Sequence, residues 1–380
     1  MGPPFSHTMA YAKDFLARLG KTCVREMGPV MDDVLVRRDM ELREHVVLCG
    51  DACFSDESVG RLVSEEPDSY RTCFQRDRDR ILHSKSFRRL AHKTQVFLAP
   101  EGDHYRTRLT HSLEVTQIAR DISRSLCLNE DLTEAIGLGH DLGHTPFGHT
   151  GEDALSRAIA QYRGVTEQAS AGLFRHNCQS VRIVDLLEKG GRGLNLTREV
   201  VDGIECHTGD RKAMTLEGRV VAISDRIAYV THDVDDAERA GLLREDDLPV
   251  QVRETLGSNA SERISTMVRD VVEASARSGD ICMSNPVWNA MMGLRAFLGR
   301  HIYSKSDAKV EEPKANRLIY ELFWYFVEHI DEVPSEYRVH AGNQPEIQVA
   351  DFVSGMTDRY AIRTYQDVKV PRAWRMGGQL

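Results

Sequence analysis

Along most of the chain apolar residues recur at helical spacing, and almost nowhere do they alternate as in a half-buried strand. Ile81, Leu82, Phe87, Leu90 and Ala91 mark one inward face. Leu109, Leu113, Ile118, Ile122 and Leu126 mark another, spaced mostly by four and five. Leu132, Ala135, Ile136 and Leu138 lead a third helix into His140-Asp141, and Gly143, Pro146 and Gly148 then predict a loop. Val181–Leu187 and Val200–Cys206 read as short helices around a turn at Gly190-Gly-Arg-Gly193. Val220–Val230 is a strongly apolar helix carrying Asp225, and the acidic patch Asp233-Val-Asp-Asp236 either ends it or faces solvent. Residues from Asp246 to Ile281 form a charge-rich amphipathic stretch. Asn316–Ile330 carries the aromatic run Tyr320, Phe323, Trp324, Tyr325 and Phe326, a core or subunit contact. Before Tyr70 only Tyr11–Leu19 and Met31–Leu48 show a helical period. The expected fold class is all-α, without internal repeats.

Composition narrows the class further. A chain of 380 residues with 41% hydrophobic and 28% charged positions is ordinary globular protein, long enough for two domains or one core with appendages. No apolar run reaches the length of a membrane span, and the Met1–Met9 segment resembles an expression leader more than a signal peptide. The eight cysteines form no C-x-x-C pair, so reduced thiols and a cytoplasmic location are expected. The net charge of −9 argues against a general nucleic-acid surface, so an anionic substrate needs a local basic pocket or a metal ion.

Candidate chemistry gathers in four short pieces: Arg108-Leu-Thr-His111, His140-Asp-Leu-Gly-His144, Phe147-Gly-His149 and Asp225-Arg226. Imidazole and carboxylate together suit one divalent ion such as manganese, magnesium, iron, cobalt, nickel or zinc. An adjacent His-Asp pair at a helix end can offer both groups to one ion when neighbouring helices supply the rest. His111 and Asp225 are the natural partners, since each sits on a largely apolar helix where an uncompensated charge is costly. Asp225 follows Val220-Val-Ala-Ile223 and calls for a cation. For a lone His or Asp, a satisfied core residue or a cap is the better explanation. With His144 and His149 within ten residues of the pair, that explanation becomes the weaker one.

Longer blocks carry a family resemblance. The segments Tyr70-Arg-Thr-Cys-Phe-Gln-Arg-Asp-Arg-Asp-Arg-Ile-Leu-His-Ser84, Phe87-Arg-Arg-Leu90, Lys93-Thr-Gln-Val-Phe97 and Tyr105-Arg-Thr-Arg-Leu-Thr-His-Ser-Leu-Glu-Val115 are the first four. With His140-Asp-Leu-Gly-His-Thr-Pro-Phe-Gly-His-Thr-Gly-Glu152, Phe174–Arg182 and Asp351–Tyr360, they resemble the bacterial deoxyguanosine triphosphate triphosphohydrolases, a family of HD-domain phosphohydrolases. The resemblance runs from about Tyr70 to about Gln366. It implies an HD-domain helical core over 70–240, a C-terminal helical region over 241–380 with subunit contacts, and an N-terminal extension over 1–69 that matches no family block.

The resemblance also implies roles. His111, His140, Asp141 and Asp225 are the metal ligands, and His149 is the catalytic histidine oriented by Glu152. Without the family, His149 is as readily a surface loop histidine. Arg108, three residues before His111 on the same helix face, suits a bidentate phosphate contact or else a surface salt bridge. Through a related vertebrate dNTP hydrolase, His144 and Arg226 become phosphate contacts, and Gln95, Tyr229 and Asp233 lie near the sugar. The implied reaction is water attack at the α-phosphorus of a dNTP, releasing deoxynucleoside and tripolyphosphate. A homo-oligomer is implied as well, and some relatives take a second dNTP as activator. His176 and His207 are further pocket candidates without an assigned role, and the sequence leaves Arg88, Arg89 and Lys93 open as phosphate contacts, interhelical ion pairs or subunit contacts. Competing functions are another HD phosphohydrolase activity (5′-nucleotidase or cyclic-nucleotide phosphodiesterase) and a nucleotide sensor or single-stranded DNA binder with a residual metal site.

Overall fold

Polar caps start most of the helices that carry the candidate residues. The computed structural model describes residues 34–95, 106–166, 169–301, 308–339, 342 and 344–371, so the Tyr11–Leu19 period lies outside the described residues. Its helices run α1 (Arg37–Val47), α2 (Cys73–Leu82), α3 (Lys85–Arg89), α4 (Arg108–Ser125), α5 (Glu130–Gly139), α6 (His149–Tyr162), α7 (His176–Arg182) and α8 (Arg198–Cys206). There follow α9 (Leu216–Arg239), α10 (Val250–Leu256), α11 (Ala260–Ser278), α12 (Asn285–His301), α13 (Ala308–Glu328), α14 (Pro345–Ser354) and α15 (Asp358–Lys369). Among the described residues there is no sheet, only two isolated bridges. The fold is all-α.

Thr107 opens α4 by accepting the Thr110 N–H, and Asn129 opens α5 by accepting from Asp131 and Leu132. Glu130 and Asp131 in the first turn of α5 add a favourable charge near the helix dipole. Thr215 does the same capping service for α9.

Three local expectations change, and a fourth is narrowed. The face from Ile81 to Ala91 is not one helix, because Ser84 accepts the Phe87 N–H and starts α3 afresh, leaving Leu82 36% exposed. On α4 the inward stripe is His111, Val115, Ile118 and Ile122, while Leu113 is 48% exposed. That register brings His111 inward with its apolar neighbours, at positions three and four apart. Helix α9 runs on through the acidic patch, which neither ends it nor faces water. Asp233 and Asp236 are buried, and Arg106 bonds Asp236 at 2.7 Å and Asp235 at 2.9 Å. The aromatic run belongs to a core: Phe323 and Phe326 are buried, with Tyr320, Trp324 and Tyr325 half-buried against the same cluster.

Buried side chains form two apolar clusters. One gathers α2 to α5 and α8 to α12; the other gathers α6, α13, α14 and α15. The loop between His140 and His149 crosses from the first to the second, since Leu142 packs in one and Phe147 in the other. The candidate residues therefore sit on the seam between the two clusters. The seven described cysteines are free thiols.

Gly143 shows how tightly that loop is held. A Cβ at this position would lie 2.2 Å from both the His176 carbonyl oxygen and the Ser180 amide nitrogen, which are backbone atoms unable to swing away. Gly143→Ala is expected to cost about 3 kcal/mol or more of stability, read as a lowered urea midpoint, because overpacking against backbone has no cheap relief.

Candidate active site and metal centre

His140 caps the C-terminus of α5 and is fully buried. Its Nδ1 donates to the Gly137 carbonyl at 2.7 Å, which fixes the tautomer and turns the Nε2 lone pair inward. That Nε2 is buried without a hydrogen-bond partner, 3.4 Å from Asp141 Oδ1 and 3.8 Å from Asp225 Oδ1. From α4, His111 brings its Nε2 to 3.0 Å from Asp225 Oδ1. An orphaned lone pair facing two carboxylates is an arrangement that a cation completes. His111, His140 and Asp141 have ligand atoms within 4.8 Å of one another, so this buried His/Asp cluster is able to hold a metal ion.

Both carboxylates are ready for that task. Burial works against the Asp141 anion, but His144, His140 and Arg108 hold its carboxyl well below the usual range. Arg108 donates to Asp141 Oδ2 at 2.8 Å. Surrounding protein also opposes charge on Asp225, and the His111 hydrogen bond with nearby His140 holds it low as well. Asp225 keeps a quarter of its side chain open to the cavity.

Beside this cluster Glu152 acts as a hub. Its Oε1 lies 3.0 Å from His144 Nδ1 and 2.8 Å from His176 Nδ1, and its Oε2 lies 3.6 Å from His149 Nδ1. Burial again opposes the anion, and contacts with His144, His149 and His176 hold it far below the normal range. His207 donates from Nδ1 to Ile204 O at 2.7 Å, so its Nε2 accepts from His176 Nε2 at 3.1 Å. His176 thus has donors on both nitrogens. Burial disfavours that charge, but the Glu152 carboxylate 2.8 Å away outweighs it and raises the pKa. His144 stacks on His176 at 3.8 Å and is pushed down to about 4 by burial, with Arg108 and His176 adding repulsion. One imidazolium per stacked pair is what the charge balance allows.

Both groups open onto a cavity of about 1150 Å³. Gln95, Arg108, His111, Asp141, His144, His149, Asp225, Arg226 and Tyr229 all line it, so the structure brings nine of the twelve predicted residues to one surface. His140 and Glu152 stand directly behind them. Asp233 does not line the cavity: it is buried under Tyr229, bonded to that phenol, and burial drives its carboxyl well above the usual value. Lys93 is buried too, donating to the His144 and Ser354 carbonyls, and Arg89 donates to Gly355 O and Tyr337 Oη. Neither reaches the cavity. Arg88 is not among its lining residues either.

His176 and His207 belong to the site although spacing assigned them no role. A signal existed for His207: it ends an apolar helix just as His140 does, with the same bond back three residues. The far wall, with Met291, Arg295 and Asn316, comes from α12 and α13 and carried no such signal.

Two family models match this architecture. The HD domain covers residues 108–230, and the phosphohydrolase-associated domain covers residues 281–367. Among known proteins, the chain is 52% identical over 340 residues to a deoxyguanosinetriphosphate triphosphohydrolase-like protein of Caldanaerobacter subterraneus subsp. tengcongensis, covering 89% of this chain and 97% of that one. The chain belongs to this family. A member from Clostridium perfringens is 46% identical over 353 residues, covering 89% of this chain and 98% of its own length. A third, from Clostridium tetani, is 42% identical over 354 residues, with 90% and 98% covered. Membership in the deoxyguanosinetriphosphate triphosphohydrolase-like family makes the protein an HD-type phosphohydrolase. No described helix is long and apolar enough to cross a membrane.

Proposed function

We propose that the protein hydrolyses deoxynucleoside triphosphates, dGTP among them, to deoxynucleoside and tripolyphosphate, in the cytoplasm and as a homo-oligomer. The observation that carries this reading is the opening of the His111, His140, Asp141 and Asp225 group and the His149–Glu152 pair onto one cavity. In this reading those four residues hold one divalent ion, manganese or magnesium. Such an ion polarises a phosphoryl group and activates water near neutral pH.

The chain's own residues have separate tasks. Arg108 keeps one guanidinium nitrogen on Asp141 and lines the cavity, where its fork suits a phosphate oxygen. Neutral His144 and Arg226 flank the same space. His149, at the cavity mouth, gives a proton from Nε2 to the departing 5′-oxygen as the bond from α-phosphorus to that oxygen breaks and the bond to water oxygen forms. Glu152 orients His149 through Nδ1; their 3.6 Å separation is of the kind that tightens when substrate arrives. Gln95 and Tyr229 face the sugar, with Asp233 holding the Tyr229 hydroxyl from beneath. Crowding on that side would reject a 2′-hydroxyl.

Incubation of each of the four dNTPs with manganese or magnesium, alone and in mixtures, tests the reading by phosphorus NMR of the products. Tripolyphosphate is the expected product. Orthophosphate as the sole phosphorus product would point to the other HD phosphohydrolase chemistries. Nucleotide binding without metal-dependent turnover would point to a sensor.

A further inference from the structure

One carboxylate from the C-terminal helices holds both sides of the cavity. Asp358 lies in the first turn of α15 and is 3% exposed. Its Oδ1 accepts the Phe147 backbone N–H at 3.1 Å, while its Oδ2 accepts the Thr94 N–H at 3.0 Å and the Thr94 hydroxyl at 2.7 Å.

Each partner leads directly to a residue of the site. Phe147 has φ +62° and Gly148 has φ +56°, and His149 then opens α6. The left-handed region is strained for a residue with a side chain, so the backbone there stays in place only if its partners hold it. Thr94 precedes Gln95 at the cavity wall and pairs with Thr107, the cap of α4, which carries Arg108 and His111. Lys93 reinforces the junction: its ammonium donates to the carbonyls of His144 and Ser354, and its own carbonyl accepts the Arg108 N–H at 3.1 Å.

Three donors converge on the two oxygens of Asp358. An amide of the same shape has one acceptor oxygen and would turn an NH2 group toward an N–H. Asparagine therefore cannot hold Phe147 and Thr94 together.

We infer that Asp358 is a positioning residue that sets His149 and Gln95 in a common register, and that the C-terminal helices act on the reaction through it. The inference rests on the proposed roles of His149 and Gln95. Its test uses the full chain loaded with manganese, comparing the wild type with Asp358→Asn and Thr94→Val.

In Asp358→Asn, metal content is expected to stay at the wild-type level. Hydrogen exchange should quicken about 10-fold or more in peptides spanning 143–150 and 93–95. In the same variant kcat for dNTP should fall about 10- to 100-fold, the scale of a small misplacement of reacting groups, and KM should rise. Thr94→Val, which removes only the hydroxyl donor, should raise KM far more than it lowers kcat. Unchanged exchange at 143–150 in Asp358→Asn, or a lowered Tm with wild-type kcat and KM, overturns the inference. If Asp358→Asn does not fold, wild-type KM and exchange in Thr94→Val overturn it instead. Exchange needs no turnover, so a wild type inactive on every dNTP would sink the functional reading while the exchange data still judge the clamp.

Discussion

Replacing Asp225 by alanine is expected to strip the metal ion and abolish turnover while the helical fold survives. Asp225 sits in the middle of α9, where alanine is the most helix-compatible residue. Its apolar neighbours Val221, Ile223, Ile227 and Ala228 remain buried in the first core cluster. What disappears is the oxygen 3.0 Å from His111 Nε2 and 3.8 Å from the orphaned Nε2 of His140. Groups that merely orient metal ligands cost about 10- to 100-fold in affinity when removed, so losing a ligand should cost at least about 100-fold. Metal analysis after dialysis, beside far-ultraviolet circular dichroism, separates this outcome from unfolding. A stoichiometric ion retained by Asp225→Ala would take Asp225 out of the ligand set.

His149→Ala carries the second large effect. Turnover should fall about 10²- to 10⁴-fold, the range spanned by a positioned general acid. Metal content should hold, because the ligand cluster lies on α4, just past the end of α5 and on α9, and not on this side chain. Stability should hold as well, since the His149 side chain is 70% exposed and its contact with Glu152 is longer than a hydrogen bond. Substrate KM is expected to change little, as the proton transfer belongs to the transition state. Single-turnover measurements check this directly. A variant with wild-type kcat would return His149 to the status of a surface histidine.

The contrast between the two variants follows from how the chain builds the seam. Asp225 is a charge on an apolar helix, with His111 beside it on the cavity wall and His140 behind. His149 follows two residues of left-handed backbone and reaches into the open volume. The segment matched by the phosphohydrolase-associated model, residues 281–367, touches that turn where Asp358 accepts the Phe147 N–H, and Phe147 lies in the segment matched by the HD model, residues 108–230.

Much of this was legible before any coordinates. The all-α class, the helix ending in His140-Asp141, the loop after it, and His111 and Asp225 as groups on apolar helices all follow from local spacing. Periodicity encodes which residues share a face of one helix, and an ionisable group amid apolar neighbours has an energetic cost that demands a partner. Contacts between helices have no such spacing. The inward register of α4, the burial of Asp233 and Asp236 beside Arg106, the His207–His176–Glu152 chain and the hold of Asp358 on Phe147 and Thr94 each join residues far apart in the chain. Such pairs form only when packing brings two surfaces together, so the tertiary structure alone decided them.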